Sequence, residues 1–180
     1  MRSTGISRLP ALLEGDALRL LQRYVSLRLS TGSLPREDGR ECYAQYGDPT
    51  VEALFGVLAP RLAAEFGEPV APSYGYLRTY LQGSLLEPHV DRAGCDFTLS
   101  LAVAATGNGA DWPLFARDLS GVVTACKLSA GDAVLMRGRE VRHWRAGLTS
   151  GWATFVFLHW VRVRGDHERF DGRPGLGFPA

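Results

Sequence analysis

The feature that most constrains this chain is a change of period near Tyr74. Before it, apolar residues recur every three to four positions; after it they alternate, in one short run after another, as far as residue 163. The first pattern marks a helix with one buried face, and the second a strand with one buried face. Short strands separated by Gly-rich turns, following two helices, bury their apolar faces best as a β-sandwich or jelly roll with the helices as buttresses.

The helical part reads as follows. Residues 15–29, GDALRLLQRYVSLRL, carry Leu and Val at helical spacing, with Asp16 as the candidate N-cap. Residues 31–47 are rich in Gly, Pro and charge and read as a loop. Asp48 and Pro49 then suit the N-cap and first turn of a second helix. Its apolar stripe is Val51, Leu54, Phe55 and Leu58. Pro60 is expected to kink or split this helix, and Gly67 to end it.

Past the switch, YGYLRTYL (74–81) places Tyr74, Tyr76, Arg78 and Tyr80 on one face. Further strands are expected at 96–104, in WPLFARD, in GVVTACKL, in AVLMRG, around His143, and at 151–163. Ala130-Gly131-Asp132 reads as a turn, with Asp132 in a turn role. The 180 residues fit a single domain, with a helical part (1–70), a jelly-roll core (71–165) and an irregular tail (166–180).

Composition excludes some functions. The formal charge of +1 gives no general surface for a polyanion, so no nucleic-acid partner is expected. Cys42, Cys95 and Cys126 form no C-x-x-C pair, which argues against a disulfide framework and for a cytoplasmic setting. Glu14, Asp16 and Arg19 interrupt the N-terminus, so no secretory signal is expected. No apolar run is long enough for a transmembrane helix, so no membrane role is expected either. Oligomeric state is not legible.

The chemistry rests on His89-Val90-Asp91. Residues i and i+2 at a strand end point the same way, so His89 and Asp91 can bind one metal together. His143, in a later β segment, is the favoured third ligand; His159, in an apolar strand, and His167, in the polar tail, compete with it. His159 fits a core hydrogen bond better. Two imidazoles and one carboxylate leave three open positions on Fe(II), as an oxygenase needs. A structural zinc site would need a fourth protein ligand, and none is apparent.

At these residues the chain resembles the prolyl-4-hydroxylase-like branch of the Fe(II)/2-oxoglutarate-dependent dioxygenases, and small bacterial members most of all. The resemblance runs in order through YGDPTVEALFGVLAPRL, YGYLRTYLQGSLLEPHVDR, DWPLF, LSAGDAVLMRGREVRHWR and FVFLHWV, roughly residues 46–163. It implies a double-stranded β-helix. It also implies iron held by His89, Asp91 and His143, 2-oxoglutarate as co-substrate, and O2 consumed with release of succinate and CO2. Asp91 stands where the family's halogenases carry a small residue, which implies hydroxylation. Tyr80 matches the strand tyrosine that touches 2-oxoglutarate.

One position departs from the family. The basic residue that holds the far carboxylate of 2-oxoglutarate is expected at 152–154, where this chain has Trp152, Ala153 and Thr154. A dicarboxylate in a partly desolvated pocket needs a cation. Arg78, on the Tyr80 face, is the first substitute, then Arg145, two residues past His143, and last Arg92. Trp112 and Trp144 are candidates to line a substrate pocket or to fill the core. The expected substrate is an amino acid, a peptide or a natural-product intermediate. The alternatives are a cupin-like metalloenzyme that does not use 2-oxoglutarate, and a non-enzymatic β-sandwich binding module.

Overall fold

The computed structural model describes residue 1 and residues 3–164. The tail from 165 onward, with His167, lies outside the described residues. Strand β1 (Ile6–Leu9) leads into helix α1 (Gly15–Ser30) and strand β2 (Cys42–Tyr46). Helices α2 (Pro49–Glu52) and α3 (Leu54–Phe66) follow. Then come β3 (Val70–Leu81), β4 (Leu86–His89), β5 (Phe97–Thr106) and β6 (Leu114–Arg117). The last strands are β7 (Val123–Cys126), β8 (Ala133–Met136), β9 (Arg142–Arg145) and β10 (Trp152–Arg162).

The strands form two antiparallel sheets, a large one in the order β1-β8-β5-β10-β3-β2 and a small one in the order β4-β9-β6-β7. This is the jelly roll expected from the change of period. The helices pack on the outer face of the large sheet. Leu21 and Val25 of α1 and Phe55, Leu58 and Leu62 of α3 bury there against Leu77, Leu99, Val156 and Leu158. Alternation along the strands then turns Tyr76, Arg78, Tyr80, Thr98, Phe155 and His159 inward, toward the small sheet. Between the sheets, Leu114 and Ala116 of β6 meet Val134 and Met136 of β8.

Several local expectations change. Helix α1 is capped by Glu14 without a side-chain bond, and Asp16 sits in the first turn, paired with Arg19. Asp48 does cap α2, its Oδ1 accepting from the Thr50 and Val51 amides, with Pro49 in the first turn. The helix divides at Ala53 and not at Pro60, which lies inside α3 on its exposed side. Gly67 ends α3 in the left-handed conformation, at φ 70°. The loop read over 31–47 contains β2, and the helical first part contains β1; both pair in the large sheet, β2 with β3 and β1 with β8. Asp132 does serve its turn, accepting from the Ser129 and Ala11 amides. The three cysteines are free and buried. Among the described residues no helix is long and apolar enough to cross a membrane.

Candidate active site

His89 does not continue the strand that carries Tyr80. It ends its own short strand, β4, in the opposite sheet, where it stands directly across from His143 of β9. Cross-strand partners point the same way, so the two imidazoles meet with ring centres 4.4 Å apart. Asp91 follows β4, and its amide donates to the Gly138 carbonyl at 2.8 Å. Its Oδ1 lies 3.6 Å from His89 Nε2 and 3.7 Å from His143 Nε2. One donor atom from each of the three residues falls within 4.8 Å of the others.

The donor set is oriented for one metal ion. His89 Nδ1 is 2.7 Å from the Glu87 carbonyl, and His143 Nδ1 is 3.0 Å from the Val141 carbonyl. A carbonyl only accepts, so each Nδ1 carries the proton and each Nε2 offers its lone pair inward. Asp91 Oδ2 accepts from the Thr98 hydroxyl at 2.6 Å, while Oδ1 faces the imidazoles. Burial opposes a charge on Asp91, but the neighbouring imidazoles of His89, His143 and His159 and the Thr98 hydroxyl hold its pKa at about 2. Burial lowers the pKa of His143, which favours the neutral imidazole a metal needs. The Asp91 carboxylate beside it raises that of His89.

His159 stands outside this set. Its Nδ1 lies 3.0 Å from Thr98 Oγ1, and its ring packs 4.4 Å from that of Tyr74. Thr98 and Gly138 complete the surroundings of Asp91, and sequence reasoning found neither. A Cβ on Gly138 would fall 2.5 Å from both Asp91 Oδ2 and Thr98 Oγ1. The only trace in the sequence is a Gly where a strand leaves the M-R-G-R run.

The triad opens into a cavity of about 680 Å³ between the sheets. Tyr76, Arg78, Tyr80, Ser100, Leu114 and Phe157 are part of its wall. Register orders the inner face of the large sheet into rows. Tyr74, His159 and Thr98 form the row beside Asp91; Tyr46, Tyr76, Phe157 and Ser100 form the next. Ala44, Arg78, Phe155 and Ala102 come third, then Cys42, Tyr80 and Ala153. Trp112 and Trp144 are not among the lining residues. Trp112 is buried with its Nε1 donating to the Ala146 carbonyl at 2.7 Å, and Trp144 stacks on Phe115.

The two arginines differ sharply. Arg78 lines the cavity, but its charge is already met. Its Nη2 lies 3.2 Å from Glu37 Oε2, and Nε and Nη2 donate to the Cys42 sulfur at 3.3 and 3.1 Å. Its Cζ sits 4.7 Å from the Tyr80 ring centre. Arg145, on the inner face of β9, is 2% exposed. Its Nη1 donates to the Trp112 carbonyl at 2.7 Å, while Nε and Nη2 are buried with no partner. Its Cζ lies 4.0 Å from the Phe155 ring centre; Arg145 is not itself among the cavity-lining residues, but its cross-strand partner Leu86 is. Burial pulls its pKa down to about 10, which still leaves it charged at neutral pH. Arg92 also lines the cavity, close to the ligand set.

Ala153 is the middle one of the three positions, 152–154, at which the resemblance places a basic residue. Its side chain belongs to the same buried cluster as Tyr80, Trp112 and Phe155. The Arg145 guanidinium packs on two members of that cluster, Trp112 and Phe155.

No protein-family model and no curated protein matches the chain. Solved structures do. A prolyl-4-hydroxylase from Pseudomonas putida superposes with a TM-score of 0.73 at 19% identity, over 89% of this chain and 94% of that one. HygX from Streptomyces hygroscopicus, solved with nickel and 2-oxoglutarate bound, gives 0.65 at 14% identity, over 90% and 84%. The α-ketoglutarate-dependent epimerase SnoN from nogalamycin biosynthesis gives 0.67 at 16%, over 89% and 79%. By its strands, by their order and by these superpositions, the chain has the double-stranded β-helix fold of the Fe(II)/2-oxoglutarate-dependent oxygenases, with a His-Asp-His triad inside it.

Proposed function

We propose that the protein is an Fe(II)/2-oxoglutarate-dependent oxygenase that hydroxylates an unactivated C–H bond of an amino-acid, peptide or natural-product substrate. His89, Asp91 and His143 hold the iron through two Nε2 atoms and one carboxylate oxygen. Arg145 binds the far carboxylate of 2-oxoglutarate, with Tyr80 beside it. Iron and 2-oxoglutarate, when bound, supply the activation of O2, with succinate and CO2 as products.

The observation that carries this reading is the pairing of the triad with a buried guanidinium, two of its nitrogens without a partner, two residues further along the same strand. That step is about 7 Å, which suits a five-carbon dicarboxylate reaching from metal to arginine. A buried charge without a counter-charge is costly, and an incoming carboxylate removes the imbalance with a fork of hydrogen bonds. Arg78 is taken instead as facing the prime substrate, because Glu37 and Cys42 already engage it. The retained Asp91 supports hydroxylation over halogenation.

The test is spectroscopic. Anaerobic addition of Fe(II) and then 2-oxoglutarate is expected to give a weak visible charge-transfer band. Admission of O2 is expected to bleach it and release succinate. Absence of both, in protein that is folded, refutes the proposal. Turnover of a substrate with O2 but without 2-oxoglutarate would leave the metal and remove the co-substrate.

A further inference from the structure

We propose that Thr98 and His159 are positioning residues that hold Asp91 as a single-oxygen ligand. The inference rests on the triad holding a metal, as proposed above.

The geometry is a directed chain. Asp91 is ionised, so its Oδ2 can only accept, and the Thr98 hydroxyl must give it the one proton it has, at 2.6 Å. Thr98 Oγ1 is then an acceptor toward His159 Nδ1 at 3.0 Å, and His159 must carry its proton there. The order is His159 Nδ1–H to Thr98 Oγ1, then Thr98 O–H to Asp91 Oδ2. His159 and Thr98 are register partners on β10 and β5, so the donor side of the chain is built into the large sheet. The acceptor belongs to the opposite sheet's triad. Tyr74, packed 4.4 Å from the imidazole, limits its rotation.

The consequence is for the number of open metal positions. A carboxylate with both oxygens free can bind one ion through both. That would fill a position that a chelating co-substrate and O2 require. With Oδ2 engaged by Thr98, only Oδ1 is turned toward His89 and His143. Gly138 keeps this arrangement tight, since a Cβ there would press on both Asp91 Oδ2 and Thr98 Oγ1.

The probe is Co(II) alone, added to metal-free protein and read by calorimetry and by its visible d–d band. The set is wild type, His89→Ala, Thr98→Val, Thr98→Ser and His159→Phe. Thr98→Val keeps the shape and removes the hydroxyl. It is expected to weaken Co(II) binding about ten- to a hundredfold and to shift the band. Thr98→Ser restores the hydroxyl and is expected within about threefold of wild type. His159→Phe leaves Thr98 and Asp91 in place, removes the orienting donor, and is expected to fall between them. A role limited to packing would lower the melting temperature without moving the band. Folded Thr98→Val and His159→Phe proteins that bind Co(II) like wild type, with the same band, overturn the proposal. Should Thr98→Val not fold, wild-type affinity and band in His159→Phe overturn it alone. Wild type binding no better than His89→Ala instead overturns the metal centre itself, and this inference with it.

Discussion

Replacing Arg145 by Met should separate co-substrate binding from stability, because the two are expected to move differently. Arg145 is buried, makes one hydrogen bond, to the Trp112 carbonyl, and leaves two nitrogens unpartnered. If a carboxylate of 2-oxoglutarate fills that gap, removing the guanidinium strands a buried anion. Truncating one side of a buried, hydrogen-bonded charge pair costs about 2–5 kcal/mol, or roughly thirtyfold to a few thousandfold in affinity. Without co-substrate the terms nearly cancel. Losing the Trp112 bond costs about 1 kcal/mol, and losing the guanidinium contacts with Phe155 and Trp112 costs about 1–2 kcal/mol. Relief of an unpaired buried cation returns about 1–4 kcal/mol, as when a buried charge gives way to an apolar side chain of similar size. The net change in metal-free protein is therefore within about 2 kcal/mol in either direction, or several degrees in melting temperature. Titration of the anaerobic Fe(II) protein with 2-oxoglutarate reads the first quantity, and scanning calorimetry the second. Arg145→Met binding 2-oxoglutarate as wild type does, while Arg78→Met does not bind it, would refute the assignment and return the role to Arg78.

Two further substitutions test the surroundings of the site. Gly138→Ala puts a Cβ 2.5 Å from Asp91 Oδ2 and from Thr98 Oγ1; metal affinity should fall about ten- to a hundredfold, as measured by competition with a chelating dye. Glu52 is buried beneath β3, its Oε1 accepting from the Gly75 amide at 2.5 Å and its Oε2 without a partner, and burial raises its pKa. A raised folded-state value makes stability complete below the unfolded pKa and progressively lost as pH rises through the folded one. Glu52→Gln should therefore melt a few degrees above wild type at pH 8, with the gap closing toward pH 4; a gap that is constant with pH would show that ionisation is not the cause.

What could be read in the sequence followed the range of each signal. His89 and Asp91 are two residues apart, and a strand end makes that spacing a shared direction. His143 was legible because it falls in a later β segment, just after the strand run AVLMRG, where a third ligand had to come from elsewhere in the chain. The pairing of His89 with His143 was not, because it needs β4 to leave the sheet of β3, and the four residues of β4 carry no clean alternation. Edge strands β1 and β2 were hidden for a related reason. They are short, only partly buried, and flanked by Gly, Pro and charge, so tertiary pairing decides them and not period. Pro60 does not split the helix, since α3 continues through it on its exposed side. The break falls instead at Ala53, just past Glu52, whose carboxylate meets the Gly75 amide. Thr98 had no signal at all, since a threonine on an inner strand face is ordinary until its partners are known.

On the proposed role of Arg145, the missing basic residue at 152–154 has a spatial answer, and it makes a last prediction. A family spacing counts residues, but a pocket senses only where a guanidinium ends. Ala153 projects from the large sheet into the cluster of Tyr80, Trp112 and Phe155, and Arg145 reaches that cluster from the small sheet across the sandwich. Either strand can supply the charge, but there is room for one long side chain. Ala153→Arg alone should overpack the cluster and bring two cations together, lowering the melting temperature by several degrees. Arg145→Ala alone should lose 2-oxoglutarate binding by about thirtyfold or more. Joined in one protein, the two changes exchange the origins of a single guanidinium. The double variant should regain at least about tenfold of the lost affinity and most of the lost stability, a coupling of over 1 kcal/mol between sites that share one space. Additive effects in the double variant, with no recovery of 2-oxoglutarate binding, would mean that Arg145 and position 153 do not serve the same carboxylate.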